Sequence, residues 1–419
     1  MHAVAEQGNS QRVERDIVLA VVGLLGVVVA TMSAKMRSLP VSEPLLGLSA
    51  GILLGPQVIA ALSIPSLAVE HELVHEASRI LLAISVMAVA LRYPFVAVRR
   101  HGRAMLILLL IVLPVMALVS GALGWAILGL PIAAAALFGT AISPTDPVLA
   151  SSVVTGEAAE RDLPARDRQL LSLESGSNDG LALPLVLVAL AVAGPHSVGE
   201  ALGESAWQVG GAVALGAGAG WLGGHALRLG SRYGATEGAP VLFFTVVLAL
   251  GILGSAGILS VDGILAVFVG GLVFNIVGTG SERVSEVPID EAINRFAVLP
   301  LFVLFGAVLP WQQWHELGWQ GVVLVLGVLA LRRIPILLLM KRPLRLGTAD
   351  AVYLGWFGPV GVSALFYLTF EAQRLGVDET VVAAGSLVLA VSTVAFGVTG
   401  VIGRTLYRRA DGQSSAVAR

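Results

Sequence analysis

Long apolar runs joined by short polar connections are the feature that most limits what this chain can fold into. Charged residues make up 13% of its 419 residues, against about 25% in soluble globular proteins. So few charges cannot cover a water-exposed surface, whereas ~20 apolar residues are enough to cross a bilayer. The runs therefore predict an all-α integral membrane protein with about thirteen transmembrane helices. They lie at roughly 16–34, 44–63, 77–91, 104–128, 131–153, 168–193, 206–229, 240–258, 261–278, 296–310, 320–340, 350–370 and 380–403.

The predicted organisation is one transmembrane domain, residues 16–405, between short polar tails at 1–15 and 406–419. With the N-terminus outside, twenty Lys and Arg residues fall on the cytoplasmic side and four on the outer side. Cytoplasmic loops of membrane proteins carry an excess of basic residues. We therefore expect a multi-pass protein of the plasma membrane with an outer N-terminus and a cytoplasmic C-terminus.

A broken helix is predicted in the fifth apolar segment, at Ser143-Pro144-Thr145-Asp146-Pro147. Each proline removes a backbone donor and clashes with the carbonyl four residues earlier. Unwound backbone at membrane depth is tolerated only where it lines a cavity or is buried in protein. Because the Asp146 carboxylate, the Thr145 hydroxyl and the freed carbonyls are all oxygen ligands, the segment predicts a binding site for a hard cation.

The sixth segment carries Glu174, Asn178 and Asp179 within one and a half helical turns. Carboxylates this close repel each other when both are ionised, so either a cation lies between them or one of them is paired with a basic residue. Arg332 and Arg333 are the two basic residues inside a predicted span. We therefore predict an ion pair between Glu174 and Arg332 or Arg333, which leaves Asp179 free for a transported ion.

The twelfth segment is interrupted by Gly358 and Pro359, seven segments after the break around Pro144 and Pro147. Two interrupted segments in corresponding positions indicate inverted repeats with a binding site between them, as in secondary transporters. Asp262 and Asp350, near the starts of their segments, are interpreted as helix-start residues. Six histidines near segment ends are interpreted as surface residues; they are His71, His75, His101, His196, His225 and His315.

These motifs resemble the sodium/proton antiporter family of the NhaP and NHE type, and the match suggests a bacterial member. The break at Thr145-Asp146-Pro147 and the Glu-x-x-x-Asn-Asp spacing of Glu174, Asn178 and Asp179 carry the resemblance. Gly51-Ile52-Leu53-Leu54-Gly55-Pro56 and Arg332-Arg333-Ile334-Pro335 add to it, with Arg332 the slightly better match for the family's arginine. One departure is Gly358-Pro359-Val360-Gly361, where many relatives have Gly-Leu-Arg-Gly; this form is closer to fungal plasma-membrane antiporters and their bacterial kin.

The resemblance implies a core domain with two discontinuous crossing helices, a dimerisation domain and a homodimer. It implies that Asp179 carries cation and proton in turn, helped by Asp146, Thr145, Ser175 and Asn178. It also implies that the Glu174–arginine pair is structural, and that exchange is electroneutral because the motif holds Asn-Asp rather than Asp-Asp. The expected function is antiport of Na⁺, K⁺ or Li⁺ against H⁺ in pH homeostasis.

Other classes fit the residues less well. Asp146 and Asp179 on neighbouring spans are superficially like an intramembrane aspartyl protease, but the motifs of that class are absent around them. A channel would not need two broken helices and a titratable core. A symporter of a small organic solute, coupled to protons or cations, is the main alternative. No enzymatic activity, cofactor or nucleic-acid partner is expected; the expected partners are membrane lipid, the alkali cation and protons.

Overall fold

The computed structural model describes residues 16–17, 20–31, 41–62, 64–69, 71–92, 95–146, 149–150, 154, 157–194, 198–234, 243–278, 297–376 and 378–417. Within these ranges the regular structure is helical, with no strand. Several helices are interrupted, and the two parts are then labelled a and b. The first nine are α1 (Ala20–Thr31), α2 (Glu43–Leu54), α3 (Glu72–Arg92), α4 (Phe95–Ile107, a π-helical turn Leu108–Val112, then Leu113–Leu128), α5 (Ile132–Ala141), α6a (Ala165–Leu181) with α6b (Leu183–Ala193), α7 (Val198–Arg232), α8 (Phe244–Leu259) and α9 (Gly263–Val277).

The second half of the chain continues the pattern, and a short helix, Glu157–Asp162, precedes α6a. The remaining helices are α10 (Ala297–Ala307), α11a (Trp311–Leu331) with α11b (Ile334–Leu344), α12a (Thr348–Trp356) with α12b (Val362–Leu375), and α13 (Glu379–Val417). Each predicted apolar segment coincides with helical residues. In the described ranges, five helices are long and apolar enough to cross a bilayer by length and composition. α7 is also long, at 35 residues, but is not among these five. An all-helical membrane fold is thus confirmed, while the count of thirteen spans stays a prediction.

The outer surface of the bundle is apolar, the reverse of a water-soluble protein. Large aliphatic side chains face outward, among them Ile258 at 86% exposure and Ile132 at 76%. The buried side includes serines, threonines, carboxylates and three arginines. Apolar side chains outside and polar groups inside are the distribution expected for a protein that spans a membrane.

The last helix extends into the predicted polar C-terminal tail, residues 406–419. α13 continues past the apolar run and ends at Val417. Tyr407 is buried against Tyr353 with ring centroids 5.0 Å apart, and its hydroxyl donates to Asp350 Oδ1 at 2.7 Å. These contacts anchor the helix beyond the apolar run. Asp350 also accepts from the N–H of Gly347, so it caps α12a as expected of a helix-start residue.

Small residues bring pairs of helices into backbone contact. A Cβ atom at Gly216 or Gly220 of α7 would lie 2.2 Å from the carbonyl oxygen of Ala266 or Gly270 of α9. Gly51 lets α2 pack against α10 in the same way. A Cβ atom at this position would lie 2.1 Å from the Val303 carbonyl oxygen. Close approach of this kind is how helices associate in lipid, where apolar burial alone gives little preference.

A pair of neighbouring glycines tests this packing. We expect Gly220→Ala to destabilise the protein by about 1–3 kcal/mol, because the added methyl group forces α7 away from a backbone carbonyl. Gly218→Ala is the matched control, since nothing lies within 4 Å of its Cβ position. That variant should be neutral or slightly stabilising, as alanine is the better helix former. Melting temperatures in detergent that are the same for both variants would contradict the close α7–α9 contact.

Candidate ion-binding site

Two interrupted helices cross in the interior of the bundle. α5 ends at Ala141 and the chain is non-helical through Asp146, whereas Pro147 lies outside the described residues. α12a ends at Trp356, and α12b begins at Val362 after the Gly358-Pro359 interruption. The N–H of Asp146 donates to the carbonyl of Pro359 at 3.0 Å, so the two breaks touch directly. The crossing of two discontinuous helices, expected from the resemblance, is present.

Arg332 holds both breaks together. Its guanidinium donates to the carbonyls of Ile142 and Pro144 on the α5 side and to the carbonyl of Gly358 on the α12 side. These carbonyls lost their helical partners where the helices unwind. A buried, delocalised cation with five donors can satisfy several of them at once. Arg332 therefore stabilises the crossing itself.

Arg333, and not Arg332, pairs with Glu174. Both of its terminal nitrogens donate to the two Glu174 carboxylate oxygens at 2.6 Å, and its Nε donates to the Leu354 carbonyl at 2.9 Å. The sequence left the two arginines as alternatives with a slight preference for Arg332, and that preference is wrong. The reason is that α11 is itself interrupted at this point, where Arg333 has φ −125° and ψ −39°. Successive side chains there leave in different directions.

Asp146 is buried and caps the first turns of two helical segments. Its Oδ1 accepts from the N–H of Leu149 at 2.8 Å, and its Oδ2 accepts from the N–H of Val362 at the start of α12b. Gly361 makes this contact possible, because a Cβ at that position would lie 2.4 Å from Asp146 Oδ2. Unpaired N–H groups at a helix start favour a negative charge, so the position suits an ionised carboxylate.

Thr145 is fixed by side chains from α6a. Its N–H donates to Asn178 Oδ1 at 3.2 Å, and Asn178 Nδ2 donates to Thr145 Oγ1 at 2.8 Å. Its hydroxyl also lies 3.0 Å from that of Ser175. Both ends of the Asn178 amide are thus engaged with Thr145. Asn178 orients this hydroxyl pair, and the Thr145 and Ser175 oxygens line the site.

Asp179 is the fully buried carboxyl group beside this network. Neither of its carboxylate oxygens has a hydrogen-bond partner in the described part of the chain, and the Ser363 hydroxyl has none either. The Asp146 carboxylate and the Ser363 hydroxyl are its polar neighbours. Its backbone carbonyl accepts from the Tyr367 hydroxyl. An isolated ionised carboxylate is very costly in such surroundings, so this group needs a proton or a bound cation.

Several buried polar residues were missed by the sequence analysis. Ser363 and Tyr367 on α12b face the site, and Glu371 was missed because the predicted span ended one residue before it. His75 and His101 were expected at the surface, but both are buried. His75 stacks on Phe366 at 5.0 Å and His101 pairs with Gln169. In both cases a helix is longer than its apolar run, so the flanking turn is also packed.

Asp262 is a helix-start residue, as interpreted, but it is buried. Its Oδ1 accepts from the N–H groups of Ile264 and Leu265 at 2.9 Å and caps α9. Among the residues with assigned positions, no group of three or more His, Cys, Asp or Glu could hold a metal ion. The oxygen atoms at the crossing belong to the Asp146 and Asp179 carboxylates, the Thr145 and Ser175 hydroxyls and backbone carbonyls.

Comparison with known proteins gives the relatives of this chain. Residues 23–406 match the family model described as sodium/hydrogen exchanger, transmembrane. Na(+)/H(+) antiporter 2 of Zygosaccharomyces rouxii is 31% identical over 369 residues, covering 84% of this chain and 46% of that protein. The Na(+)/H(+) antiporter of Saccharomyces cerevisiae is 31% identical over 305 residues, covering 70% of this chain and 31% of that protein. The chain thus spans half or less of the length of these two fungal relatives.

The fold has a solved counterpart. The sodium proton antiporter MjNhaP1 from Methanocaldococcus jannaschii superimposes with a TM-score of 0.69 at 20% identity, covering 96% of this chain and 98% of that one. At this identity the likeness concerns the fold. The sequence relatives are fungal and lend no support to the expected bacterial origin. The family match extends over most of the chain, and on that ground the chain belongs to the sodium/hydrogen exchanger family of transmembrane proteins.

Proposed function

We propose that this protein exchanges one monovalent alkali cation for one proton across the membrane, with Asp179 carrying each in turn. The observation that carries the proposal is the fully buried Asp179 carboxyl group without a hydrogen-bond partner in the described residues, placed at the crossing of two broken helices. Proton and cation compete for this one carboxylate. Binding either of them neutralises the buried charge of Asp179. The loaded site can therefore change the side of the membrane that it faces, whereas for the empty site this change is costly.

The charges at the crossing support one-for-one exchange. Arg332 and Arg333 bring two positive charges, and Glu174, Asp146 and Asp179 bring three negative ones. The residual charge is one negative, which either one proton or one alkali cation cancels. The two loaded states of the site are therefore both neutral. A carrier that crosses only when loaded moves no net charge per cycle, and the proposed exchange is electroneutral.

The ligands fit a hard cation. Asp179 and Asp146 supply carboxylate oxygens, and Thr145 and Ser175 supply hydroxyl oxygens, all from buried positions. Asn178 holds the Thr145 hydroxyl in place, and Gly361 gives α12b its close approach to Asp146. Na⁺ is the proposed substrate because the fungal relatives are named as Na⁺/H⁺ antiporters. K⁺ and Li⁺ use the same oxygen ligands and are tested beside it.

The setting of the proposed activity is a plasma membrane, with the N-terminus outside and the C-terminus in the cytoplasm. The excess of basic residues on one side of the predicted spans supports this orientation. A homodimer is proposed from the family resemblance. Transport is by alternating access, in which one part of the bundle moves against the other so that the crossing faces each side in turn.

The proposal is tested by proton flux in proteoliposomes containing the purified full chain. Na⁺, K⁺ and Li⁺ gradients are imposed one at a time, and internal pH is followed with and without a clamped voltage. We expect cation-driven proton movement in the opposite direction, unchanged by the voltage. Proton movement that requires an organic solute would favour the symporter instead. Flux that follows the voltage would contradict electroneutral exchange.

A further inference from the structure

A buried polar stripe runs along α12b away from the ion-binding site. Its members are Ser363, Tyr367 and Glu371, spaced four residues apart and therefore on one side of the helix. All three are buried, Glu371 at 4% exposure. The stripe is about 12 Å long at 1.5 Å per residue. The Tyr367 hydroxyl donates to the Asp179 carbonyl at the site end.

Glu371 lies at the other end, close to where α12b reaches the surface. Ala372 is still buried, and the exposed residues of the helix end begin at Gln373. In the predicted orientation this is the outer side of the membrane. The stripe thus extends from the start of α12b, beside the ion-binding site, to the last buried turn before solvent.

Among the residues that the structure describes, none places a counter-charge beside Glu371. α5 and α6b, which pack against α12b, contain no titratable residue. The facing group on α3 is His75, which bonds Thr369. On α13 the nearest acidic residue is the exposed Glu379. Arg374 on the same helix is instead paired with Glu204 at 3.4 Å and lies over the Phe370 ring.

The hydrogen bonding at Glu371 indicates a bound proton. Its Oε1 lies 3.3 Å from Thr140 Oγ1, and its Oε2 has no partner in the part of the chain the structure describes. The Thr140 hydroxyl has a single proton and two nearer acceptors, the carbonyls of Ala136 at 2.8 Å and Leu137 at 3.1 Å. With that proton directed to the backbone, the Glu371–Thr140 contact is satisfied when Glu371 itself is the donor.

We propose that Glu371 is a second proton-binding site of this protein, from which protons pass along the α12b stripe to Asp179. The inference rests on the proposed cation–proton exchange. When the cation leaves toward the side of the membrane where Glu371 lies, which is the outer side in the predicted orientation, a proton moves from the Glu371 carboxyl group to the Asp179 carboxylate. Glu371 is then ionised and takes a new proton from the solution on that side. Exchange in the opposite direction runs these steps backwards.

Three variants test the proposal. Glu371→Gln keeps the shape and the contact with Thr140 but cannot carry a proton, and Glu371→Asp keeps a carboxyl group. Glu379→Gln is the control, an exposed glutamate at the start of the neighbouring helix. Each is measured for melting temperature, for apparent cation affinity, and for exchange rate against the pH on the α12b side. The infrared band of protonated buried carboxyl groups is recorded for each.

We expect Glu371→Gln to lose part of the carboxyl band and to slow exchange on the order of a hundredfold, with its dependence on the pH of that side flattened. Apparent cation affinity and melting temperature should stay within the range of the control, and Glu371→Asp should recover part of the rate. An unchanged carboxyl band in Glu371→Gln, or an unchanged rate and pH profile, would overturn the proposal. If the unaltered protein exchanges no cation, the proposed function fails, and the band still decides whether Glu371 binds a proton.

Discussion

Asp179→Asn should give a folded protein in which proton flux no longer responds to any alkali cation. Asparagine has nearly the same shape as aspartate but can neither take up a proton nor neutralise a cation. The crossing would then hold two positive and two negative charges, so a bound cation would leave a net charge buried in the membrane. Such a charge is costly. Flux in proteoliposomes should fall to the level of protein-free vesicles.

Asp146→Asn is the informative companion to this variant. The Asp146 carboxylate accepts from the N–H groups of Leu149 and Val362, so an amide nitrogen in its place would put one donor against another. Loss of such a helix cap costs about 0.5–2 kcal/mol. We therefore expect Asp146→Asn to lower the melting temperature, whereas Asp179→Asn should not, because no described hydrogen bond is lost. Cation-driven exchange that persists in Asp179→Asn would show that another group carries the ion.

The difference between these two carboxylates could not be read from the sequence. Both are acidic residues in apolar segments, and both were assigned to cation and proton binding. Only the folded chain brings the Val362 N–H to Asp146, from 216 residues away. The helix breaks, by contrast, were predictable because their cause is local. Proline and glycine change the backbone wherever they stand, and the interruptions at Pro144 and at Gly358-Pro359 follow from that.

The identity of the arginine that pairs with Glu174 shows a second limit. The scarcity of basic residues inside the membrane was enough to predict that a pair exists. Which of the two adjacent arginines pairs with Glu174 depends on the direction of each side chain. At an interrupted helix that direction is set by the local backbone angles. Glu371 shows a third limit, since hydropathy ended the predicted span at residue 370. A buried carboxyl group one residue further was therefore assigned to a loop.

Removal of one partner from the Glu174–Arg333 pair should cause a large loss of stability. Both side chains are almost fully buried, and two hydrogen bonds of 2.6 Å join them. Glu174→Gln leaves the Arg333 guanidinium without its counter-charge, and breaking a buried pair in this way costs about 3–5 kcal/mol. The melting temperature in detergent should fall clearly, while the apparent cation affinity of the remaining folded protein changes little.

Two controls separate loss of the pair from loss of a charge in general. Glu76→Gln breaks the more exposed pair with Arg79, in which Arg79 Nη1 lies 3.0 Å from Glu76 Oε2. This change should cost no more than about 1 kcal/mol of stability. The double variant Glu174→Leu with Arg333→Met removes both buried charges and should recover much of the stability lost by Glu174→Gln. A normal melting temperature in Glu174→Gln together with a large shift in apparent cation affinity would mean that Glu174 is an ion ligand. The structure argues against this outcome, because both of its carboxylate oxygens are already bound by Arg333, which at the same time holds α12a through the Leu354 carbonyl.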